Sequence, residues 1–242
     1  MKILAIETST EACSVAVWID GEVHERHELA PRRHTDLVLP WCDQLLAEAG
    51  ITKRQIDAIA VGRGPGAFTG VRLAVALVQG MALALDKPVL PVSTLAALAL
   101  QAPAIEVGTA GGDPSTVLAA IDARMGELYL GLFRHDRQEL VVAMGEEWMA
   151  QPTEPKLALD SQHLIGVGSG FAAAGQALAA ALGPRLRHCD PLALPHAGDI
   201  ARLGAQMLAR GQGIRADLLE PAYLRDKVAL TLEEQAAARS LR

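Results

Sequence analysis

One glycine-rich run in the sequence has residue types and a position that suit anion binding. It reads Gly62-Arg63-Gly64-Pro65-Gly66-Ala67-Phe68-Thr69-Gly70 and precedes an apolar segment typical of a helix. The first N–H groups of a helix lack intrahelical partners and attract anions, and glycine permits backbone conformations that side chains forbid. The run lacks the lysine of a Walker loop and the glycine order of a dinucleotide site. A tight strand-to-helix turn and a phosphate cradle are therefore both open.

Two carboxylates, Glu7 and Asp122, each follow a short apolar run. Actin-like and sugar-kinase-like folds place phosphate-facing carboxylates at this position, as Asp, one further residue, and then Gly or Thr. Here Glu7-Thr8-Ser9 has the longer acid, and Asp122-Ala123-Arg124 has arginine where glycine would let phosphate approach. Nucleotide hydrolysis is therefore not favoured by these motifs.

The histidines and cysteines do not have the spacing of metal ligands. No two of the seven histidines are four residues apart, and His24 and His27, the closest pair, point to opposite faces if they lie on a strand. The cysteines, Cys13, Cys42 and Cys189, lie far apart in the chain. We expect no metal site, and no Ser/His/Asp or Cys/His set can be assembled from the sequence.

Composition narrows the protein class further. Half of the 242 residues are hydrophobic and 21% are charged, which suits a folded chain with a large core. The net charge of −6 argues against a basic nucleic-acid footprint, and the 3% aromatic content argues against a base-stacking surface. The apolar stretch from Leu73 to Leu85 is interrupted by Gln79 and Gly80 and is shorter than the roughly twenty residues of a membrane helix. We expect a soluble, cytoplasmic protein.

The first hundred residues predict a mixed sheet covered by helices. An apolar run at residues 3–6 and alternating polarity at residues 13–19 indicate two strands. Asp20-Gly21 is a hairpin signal that leads into a polar third strand, residues 22–29, of the kind found at sheet edges. Helix, strand, helix, strand and helix are then predicted at residues 37–49, 58–61, 71–85, 89–92 and 94–102.

The two long helices in this half differ in character. Thr35 and Asp36 are predicted to cap the first, with Pro40 either bending its first turns or marking its true start, and with Gly50 ending it. The second is apolar on nearly all sides, so it needs another apolar neighbour besides one sheet. Burial between the sheet and the first helix, and contact with another subunit, are equally open.

The second half of the chain predicts another α/β unit. Residues 103–115 are rich in Gly and Pro and predict a linker, which divides the chain into a first lobe at 1–103 and a second, smaller lobe at 104–216. Strands are predicted at 117–121, 127–133, 140–143 and 164–167, and helices at 171–182 and 198–209. The similar openings of the two halves suggest a distant internal duplication.

Several segments, taken in order, resemble the bacterial TsaB (YeaZ) family. Gly64-Pro65-Gly66-Ala67-Phe68-Thr69-Gly70-Val71-Arg72 is similar to the family signature GPGSFTGxR, with Ala67 in place of the usual Ser. The matching segments elsewhere in the chain are residues 3–16, 31–35, 119–129 and 220–225. Together they extend from the start of the chain to about residue 228, which makes the resemblance specific.

The resemblance implies a fold and a function. The implied fold is α/β, a two-lobed actin-like (ASKHA, ribonuclease-H-like) architecture in which each lobe is a mixed sheet covered by helices, with a C-terminal segment at about 217–230 packing back on the first lobe. The implied function is that of a non-catalytic subunit in the complex that forms N6-threonylcarbamoyladenosine at position 37 of tRNAs reading ANN codons. The implied partners are the catalytic subunit TsaD and the ATPase TsaE, with a homodimer when the protein is alone and contact with tRNA only through the complex.

Two groups of site residues follow. The turn is a candidate anion- or nucleotide-facing element, comprising Gly64, Pro65, Gly66, Phe68, Thr69, Gly70 and Arg72. The two long helices are the implied partner interface, comprising Thr35, Leu37, Val38, Trp41, Leu45, Val71, Ala74, Val75, Leu77, Val78 and Met81. The sequence lacks the His-x-x-x-His metal pair of TsaD-like proteins. We therefore expect no catalytic residue, cofactor or metal in this chain.

Two enzymatic alternatives make different demands on the sequence. A sugar-kinase-type phosphotransferase would need intact phosphate motifs at Glu7 and Asp122. A metalloprotease would need histidine ligands at a spacing that the sequence does not contain.

Overall fold

Two mixed β-sheets, joined by helices that pack between them, form the architecture. The computed structural model describes residues 1–103, 116–135, 140–157 and 163–225. The predicted linker lies mostly in residues 104–115, outside the described residues. The architecture confirms the two-lobed, actin-like α/β fold that the sequence implies.

The first sheet has the strand order β3-β2-β1-β4-β5, in which β1 is antiparallel to β2 and parallel to β4. The strands are β1 (Lys2–Glu7), β2 (Ala12–Ile19), β3 (Glu22–Leu29), β4 (Ala58–Gly62) and β5 (Val89–Val92). Asp20 and Gly21 form the predicted two-residue turn, with φ of 48° and 110°. The polar strand β3 lies at the sheet edge, as predicted.

Helices cover both faces of this sheet. The helices are α1 (His34–Glu48), α2 (Phe68–Leu85), α3 (Thr94–Leu100) and α5 (Ala197–Ala209). Because side chains alternate along a strand, Leu4 and Ile6 of β1 pack in the core under α1 and α2, while Ile3 and Ala5 pack in the core that contains α3 and α5. Apolar side chains on both sides of β1 thus hold a helix layer on each face.

The second sheet repeats the topology of the first. Its order is β11-β10-β6-β7-β8, with β9 also paired to β7. Its elements are β6 (Thr116–Arg124), β7 (Glu127–His135), β8 (Val141–Ala143), β9 (Trp148–Ala150), β10 (Leu164–Val167), α4 (Ala177–Leu182) and β11 (Leu186–Asp190). In both sheets an antiparallel hairpin is followed by two parallel strands, which agrees with the predicted duplication.

Helix α3 joins the two lobes. It contacts β6 and β7 of the second sheet as well as α5, and its residues share one apolar cluster with Ile3 and Val117. An added Cβ at Gly168 would collide with Leu98 of α3, whereas one at Gly131 would collide first with the Phe133 ring of its own strand. Glycine at residue 168 therefore lets the second sheet approach the helix closely.

Several helical predictions differ from the structure. Helix α1 begins at His34 after Arg33, and no side chain caps it, because Thr35 and Asp36 lie within its first turn. Residues 171–182 do not form one helix: Ala174 and Gly175 adopt left-handed backbone conformations, so α4 begins only at Ala177. The strands β9 and β11 are not among the predicted elements, because each is too short to show a clear alternation of polar and apolar residues.

Helix α5 packs against β1, β2, β4 and β5 of the first sheet, although its residues fall within the range predicted for the second lobe. Its strongly one-sided apolar face, including Ile200 and Leu203, is buried in the cluster that contains Leu90. Sequence order alone could not assign this helix, because its apolar stripe would fit either sheet.

The segment at residues 214–225, here called the strap, returns over the first lobe and reaches the second. Ile214 pairs with Val89, Leu219 is buried in the apolar cluster that includes Val75 and Val78 of α2, and the Ala222 N–H donates to the Arg63 carbonyl oxygen over 2.8 Å. Arg225 then donates to Glu127 Oε2 over 2.8 Å. The strap therefore contacts both lobes; the last part of the predicted segment, residues 226–230, lies outside the described residues.

Helix α2 is long and apolar enough to cross a membrane if judged by length and composition only. Its sheet-facing side is nonetheless buried against the core, through Gly70, Val71, Ala74, Val75, Val78 and Ala82. Its outer side, which includes Ala76, Gly80 and Leu83, is exposed.

Candidate functional site

A cleft of about 630 Å³ lies between the two lobes. The β1–β2 loop, the segment before α1 and the start of α2 form its first-lobe walls, and the end of β6 forms its second-lobe wall. The strap residues Ala222 to Arg225 form a further wall. The cleft thus brings together the glycine-rich turn and the Asp122 motif, which are far apart in the sequence.

Glu7 does not line this cleft. Its carboxylate is buried, accepts hydrogen bonds from the Ser9 N–H (2.5 Å) and the Thr94 hydroxyl (3.1 Å), and lies against Gly62. Burial raises the pKa of the Glu7 carboxyl, against the opposing effect of these hydrogen bonds. A buried carboxyl with a raised pKa, and with no cation paired to it in the described part of the chain, is suited to a structural role and not to binding a metal-bound phosphate.

The glycines of the turn allow close backbone packing. Added Cβ atoms at Gly66 and Gly70 would collide with backbone atoms of Ser9 and Thr8, and the Thr8 hydroxyl donates to the Gly70 carbonyl oxygen over 2.7 Å. Gly64 has a φ of 96°, which favours glycine. The tight-turn interpretation therefore explains the glycines fully by contacts within the chain.

The predicted turn residues divide by position. Gly66 and Phe68 line the cleft, whereas Gly64, Pro65 and Gly70 are buried. Thr69 is exposed, and Arg72 lies over the Phe68 ring with its guanidinium carbon 3.1 Å from the ring centroid. The structure thus places only part of the predicted set at the cleft surface.

Asp122 lies at the cleft wall, and its carboxylate is already hydrogen-bonded within the chain. Its carboxylate accepts from the Arg124 N–H over 2.8 Å and from Arg124 Nη1 over 3.1 Å. Arg124 and Met125 both have positive φ, 64° and 56°, at the tip of the β6–β7 hairpin. Arginine at the glycine position of the motif therefore occupies the carboxylate that would otherwise face a phosphate.

Within the described ranges, no group of three or more His, Cys, Asp or Glu residues could hold a metal ion. His24 and His27 face opposite sides of β3, as predicted, since only His27 stacks on His196. His34 Nε2 lies 3.1 Å from the carbonyl oxygens of both Thr10 and Ala12, so this side chain anchors the start of α1 to the β1–β2 loop.

A polar cluster that the sequence did not reveal fixes the start of α5 to the β2–β3 hairpin. Glu25 accepts from Ser14 Oγ (2.6 Å), the Gly198 N–H (3.0 Å) and His196 Nδ1 (3.2 Å). Burial alone would raise the pKa of Glu25, but these hydrogen bonds outweigh it and lower the pKa to about 2. A carboxylate at a helix N-terminus is stabilising, so Glu25 acts as a cap supplied by another element. Nothing in the local sequence pairs residue 25 with residue 198.

The eleven residues of the implied partner interface do not share one surface. Five of them point into the core beneath α1 and α2, namely Val38, Leu45, Ala74, Val75 and Val78, and Val71 is buried beside Gly64 at the cleft. Leu37, Trp41, Leu77 and Met81 are half-buried, and Thr35 is exposed. Other α2 residues, including Ala76, Gly80 and Leu83, are exposed instead. Helical spacing identified the apolar helices but not which of their faces meets the sheet.

Comparison with known proteins gives relatives that are named TsaB, YeaZ or TsaD. Residues 22–231 match the family model described as TsaD, tRNA N6-adenosine threonylcarbamoyltransferase. The chain is 40% identical over 238 residues to a tRNA threonylcarbamoyladenosine biosynthesis protein TsaB of Escherichia coli (95% of this chain, 96% of the relative) and 38% identical to that of Haemophilus influenzae (94% and 95%). A crystal structure of a protein from Pseudomonas aeruginosa, described as similar to peptidase YEAZ, superposes with a TM-score of 0.82 at 40% identity, covering 93% of this chain and 99% of that one.

Proposed function

Because the chain belongs to the TsaB (YeaZ) family of tRNA threonylcarbamoyladenosine biosynthesis proteins, we propose that it is the non-catalytic subunit that binds and activates TsaD. The complex would form N6-threonylcarbamoyladenosine at position 37 of tRNAs that read ANN codons. The state of the two motif acids, Glu7 and Asp122, supports this role most directly. Glu7 is buried against Gly62, and Asp122 is paired with Arg124, so neither acid is free to hold a metal-bound phosphate.

The partner surface is proposed on the outer sides of α1 and α2. The half-buried residues Leu37, Trp41, Leu77 and Met81 and the exposed Thr35 remain candidates from the sequence prediction. Exposed Ala76, Gly80 and Leu83 extend this surface along α2. Small side chains on a helix allow a partner helix to approach closely, and Leu83, which is 79% exposed, gains most from being covered.

The remaining partners follow from the family. The ATPase TsaE would join the complex, a homodimer would form through the same helices when TsaD is absent, and tRNA would be held mainly by the other subunits. The net charge of −6 suits a subunit with little phosphate contact. A cytoplasmic location fits a tRNA-modifying complex, and no cofactor or metal is assigned to this chain.

The test combines an assembly measurement with an omission assay. Size-exclusion chromatography with light scattering on this protein and its cognate TsaD should give a stable one-to-one complex. Threonylcarbamoylation of tRNA by the full set of partners should be lost when this chain alone is omitted. Absence of a complex under all nucleotide conditions, or activity that persists without this chain, would overturn the proposal.

A surface substitution on α2 tests the interface itself. Ala76→Arg places a bulky charge on the exposed side of α2, so the complex with TsaD should weaken by about tenfold or more without a change in melting temperature. Ala180→Arg makes the same change on the exposed side of α4 in the second lobe and should leave binding unchanged. Equal affinities for the two variants, measured by titration calorimetry, would remove α2 from the interface.

A further inference from the structure

Two aromatic side chains stand exposed at the mouth of the cleft. Phe68 and Tyr223 are 56% and 57% exposed, while the other two phenylalanines, Phe133 and Phe171, are fully buried. The chain has only three Phe and two Tyr, so aromatic surface is scarce. Large exposed aromatic groups are enriched at interfaces, where they bury much area with little loss of side-chain freedom. Their position at the same cleft, on the α2 wall and on the strap wall, therefore indicates a contact surface.

Arg72 lies between these two rings. Its guanidinium carbon is 3.1 Å from the Phe68 centroid and 5.1 Å from the Tyr223 centroid, and Nη1 is buried without a hydrogen-bond acceptor. Among the described residues, no carboxylate pairs with Arg72. A guanidinium has five N–H donors, so Arg72, with no carboxylate paired to it in the described part of the chain, can donate to an acceptor that a bound partner supplies.

The surroundings hold these three side chains in place before any partner arrives. Phe68 opens α2 and Arg72 lies one turn later, so both stand on a regular helix. Tyr223 follows Ala222, whose N–H is bonded to the Arg63 carbonyl, and precedes Arg225, which is tied to Glu127 of the second lobe. Groups that are fixed in advance lose little entropy on binding and make effective anchors.

The charges around the cleft identify the type of occupant. Arg32 lines the same cleft, is exposed and has no described ion pair, whereas the acid Asp122 is already paired with Arg124. Glu11 is the other acid at the cleft wall, so the free charge there is nearly balanced. A polyanion such as RNA would need a more basic surface. One or two carboxylates next to apolar side chains fit Arg72, which lies between the two rings, and the exposed Arg32 at the cleft wall.

We propose that Phe68, Arg72 and Tyr223, here called the anchor triad, form a docking site for an acidic segment of the catalytic partner. A carboxylate of that segment accepts hydrogen bonds from the Arg72 guanidinium, and apolar side chains beside it cover the two rings. The inference rests on the proposed function and extends the partner surface from the outer side of α2 to the helix start and the strap. The partner would thereby contact the segment that connects the two lobes.

The experiment compares variants of the full chain for binding to purified TsaD. Phe68→Ala, Tyr223→Ala and Arg72→Ala should each raise Kd about tenfold or more, because aromatic and arginine anchors dominate interface energies. Arg72→Lys should fail to restore binding, since a point charge does not reproduce the planar donor set. Leu192→Ala removes an apolar side chain that is 83% exposed elsewhere and should bind as the unaltered protein does.

The outcomes separate this inference from the proposed function. If the unaltered protein does not bind TsaD, the proposed function fails; if it binds and the three alanine variants bind within twofold of it, only the docking site is wrong. The variants should melt at the same temperature as the unaltered protein. A variant that melts at a lower temperature is replaced by Tyr223→Phe or Phe68→Leu. These two variants keep part of the contact and should bind TsaD with intermediate affinity. Loss of tRNA binding or of self-association in the variants, with TsaD affinity unchanged, would also overturn the assignment.

Discussion

Glu7 shows how one residue can keep a position in the fold while changing its chemistry. It ends β1 beside Gly62 of β4, and its carboxyl fills the space that a side chain at residue 62 would need. The longer acid, compared with the Asp of the actin-like motif, turns into the protein and bonds to Ser9 and Thr94. The sequence showed the departure from the motif, but it could not show where the carboxyl points.

The raised pKa of Glu7 predicts a stability that depends on pH. Burial raises the folded-state pKa above 4.5, so folding favours the protonated form; this contribution is complete below pH 4.5 and is lost as the pH rises through the folded pKa. Glu7→Gln mimics the protonated carboxyl and should be increasingly more stable than the unaltered protein as the pH rises above 4.5. Urea unfolding of both proteins from pH 4 to 8 checks this, and a constant difference across that range would show that Glu7 is not protonated by folding.

Two glycines of α2 give a matched pair of stability predictions. A Cβ at Gly70 would collide with the Thr8 carbonyl oxygen, a backbone atom that cannot move alone, so Gly70→Ala should lower the free energy of unfolding by about 3 kcal/mol. Nothing lies within 4 Å of a Cβ at Gly80, so Gly80→Ala should raise it by about 0.5 to 1 kcal/mol through helix propensity. Denaturant midpoints measure both, and a tolerated Gly70→Ala would contradict the packing role of the turn.

At the scale of elements, local signals predicted which segments are helices and strands, and tertiary contacts decided the rest. The Asp20-Gly21 hairpin, the edge strand β3 and the strand-to-helix turn before α2 could all be read from residues close in sequence. The faces of α1 and α2 that point to the sheet could not be read in this way, because both helices are apolar on more than one side. Val78 is buried and Leu77 is half-buried, although the two are neighbours in the same apolar run. The placement of α5 depends on Glu25, which lies 173 residues before Gly198.

The cap that Glu25 supplies to α5 predicts an acid-sensitive contact between elements. Its folded-state pKa of about 2 is below the ordinary value of 4.5, so its contribution is present above pH 4.5 and is lost as the pH falls towards 2. Between pH 4.5 and pH 2 the unaltered protein loses this contribution to its free energy of unfolding. The Glu25→Gln variant has no such carboxylate and should lose about 2 kcal/mol less over the same interval, after allowance for solvent screening. Glu22→Gln, an exposed change on the same strand, is the control, and equal acid unfolding of the two variants would exclude a capping role for Glu25.

At the scale of the whole molecule, the two lobes are joined by contacts from three directions. Helix α3 packs against the second sheet and α5, and it shares an apolar cluster with Ile3 of the first sheet. The strap reaches from Ile214 to Glu127, and the Ser93 hydroxyl donates to Glu147 of the second lobe. The sequence suggested two lobes and their duplication from similar openings, and the repeated strand order agrees with it. It could not predict the cleft, because the cleft walls come from residues 9–11, 66–68, 121–124 and 222–225.

These contacts predict that the lobes unfold together. Leu98 is fully buried in the apolar cluster shared by both lobes and contacts the position of Gly168, so Leu98→Ala should cost about 3 kcal/mol. Because this cluster links α3 to residues of both sheets, calorimetry should show one transition at a lower temperature, and amide exchange should quicken by similar factors in β1 and in β10. Leu192→Ala, at an exposed position, should change neither. Two separate transitions, or faster amide exchange confined to the first sheet, would mean that α3 stabilises one lobe only. A partner bound to α1 and α2 could then not influence the second lobe through α3.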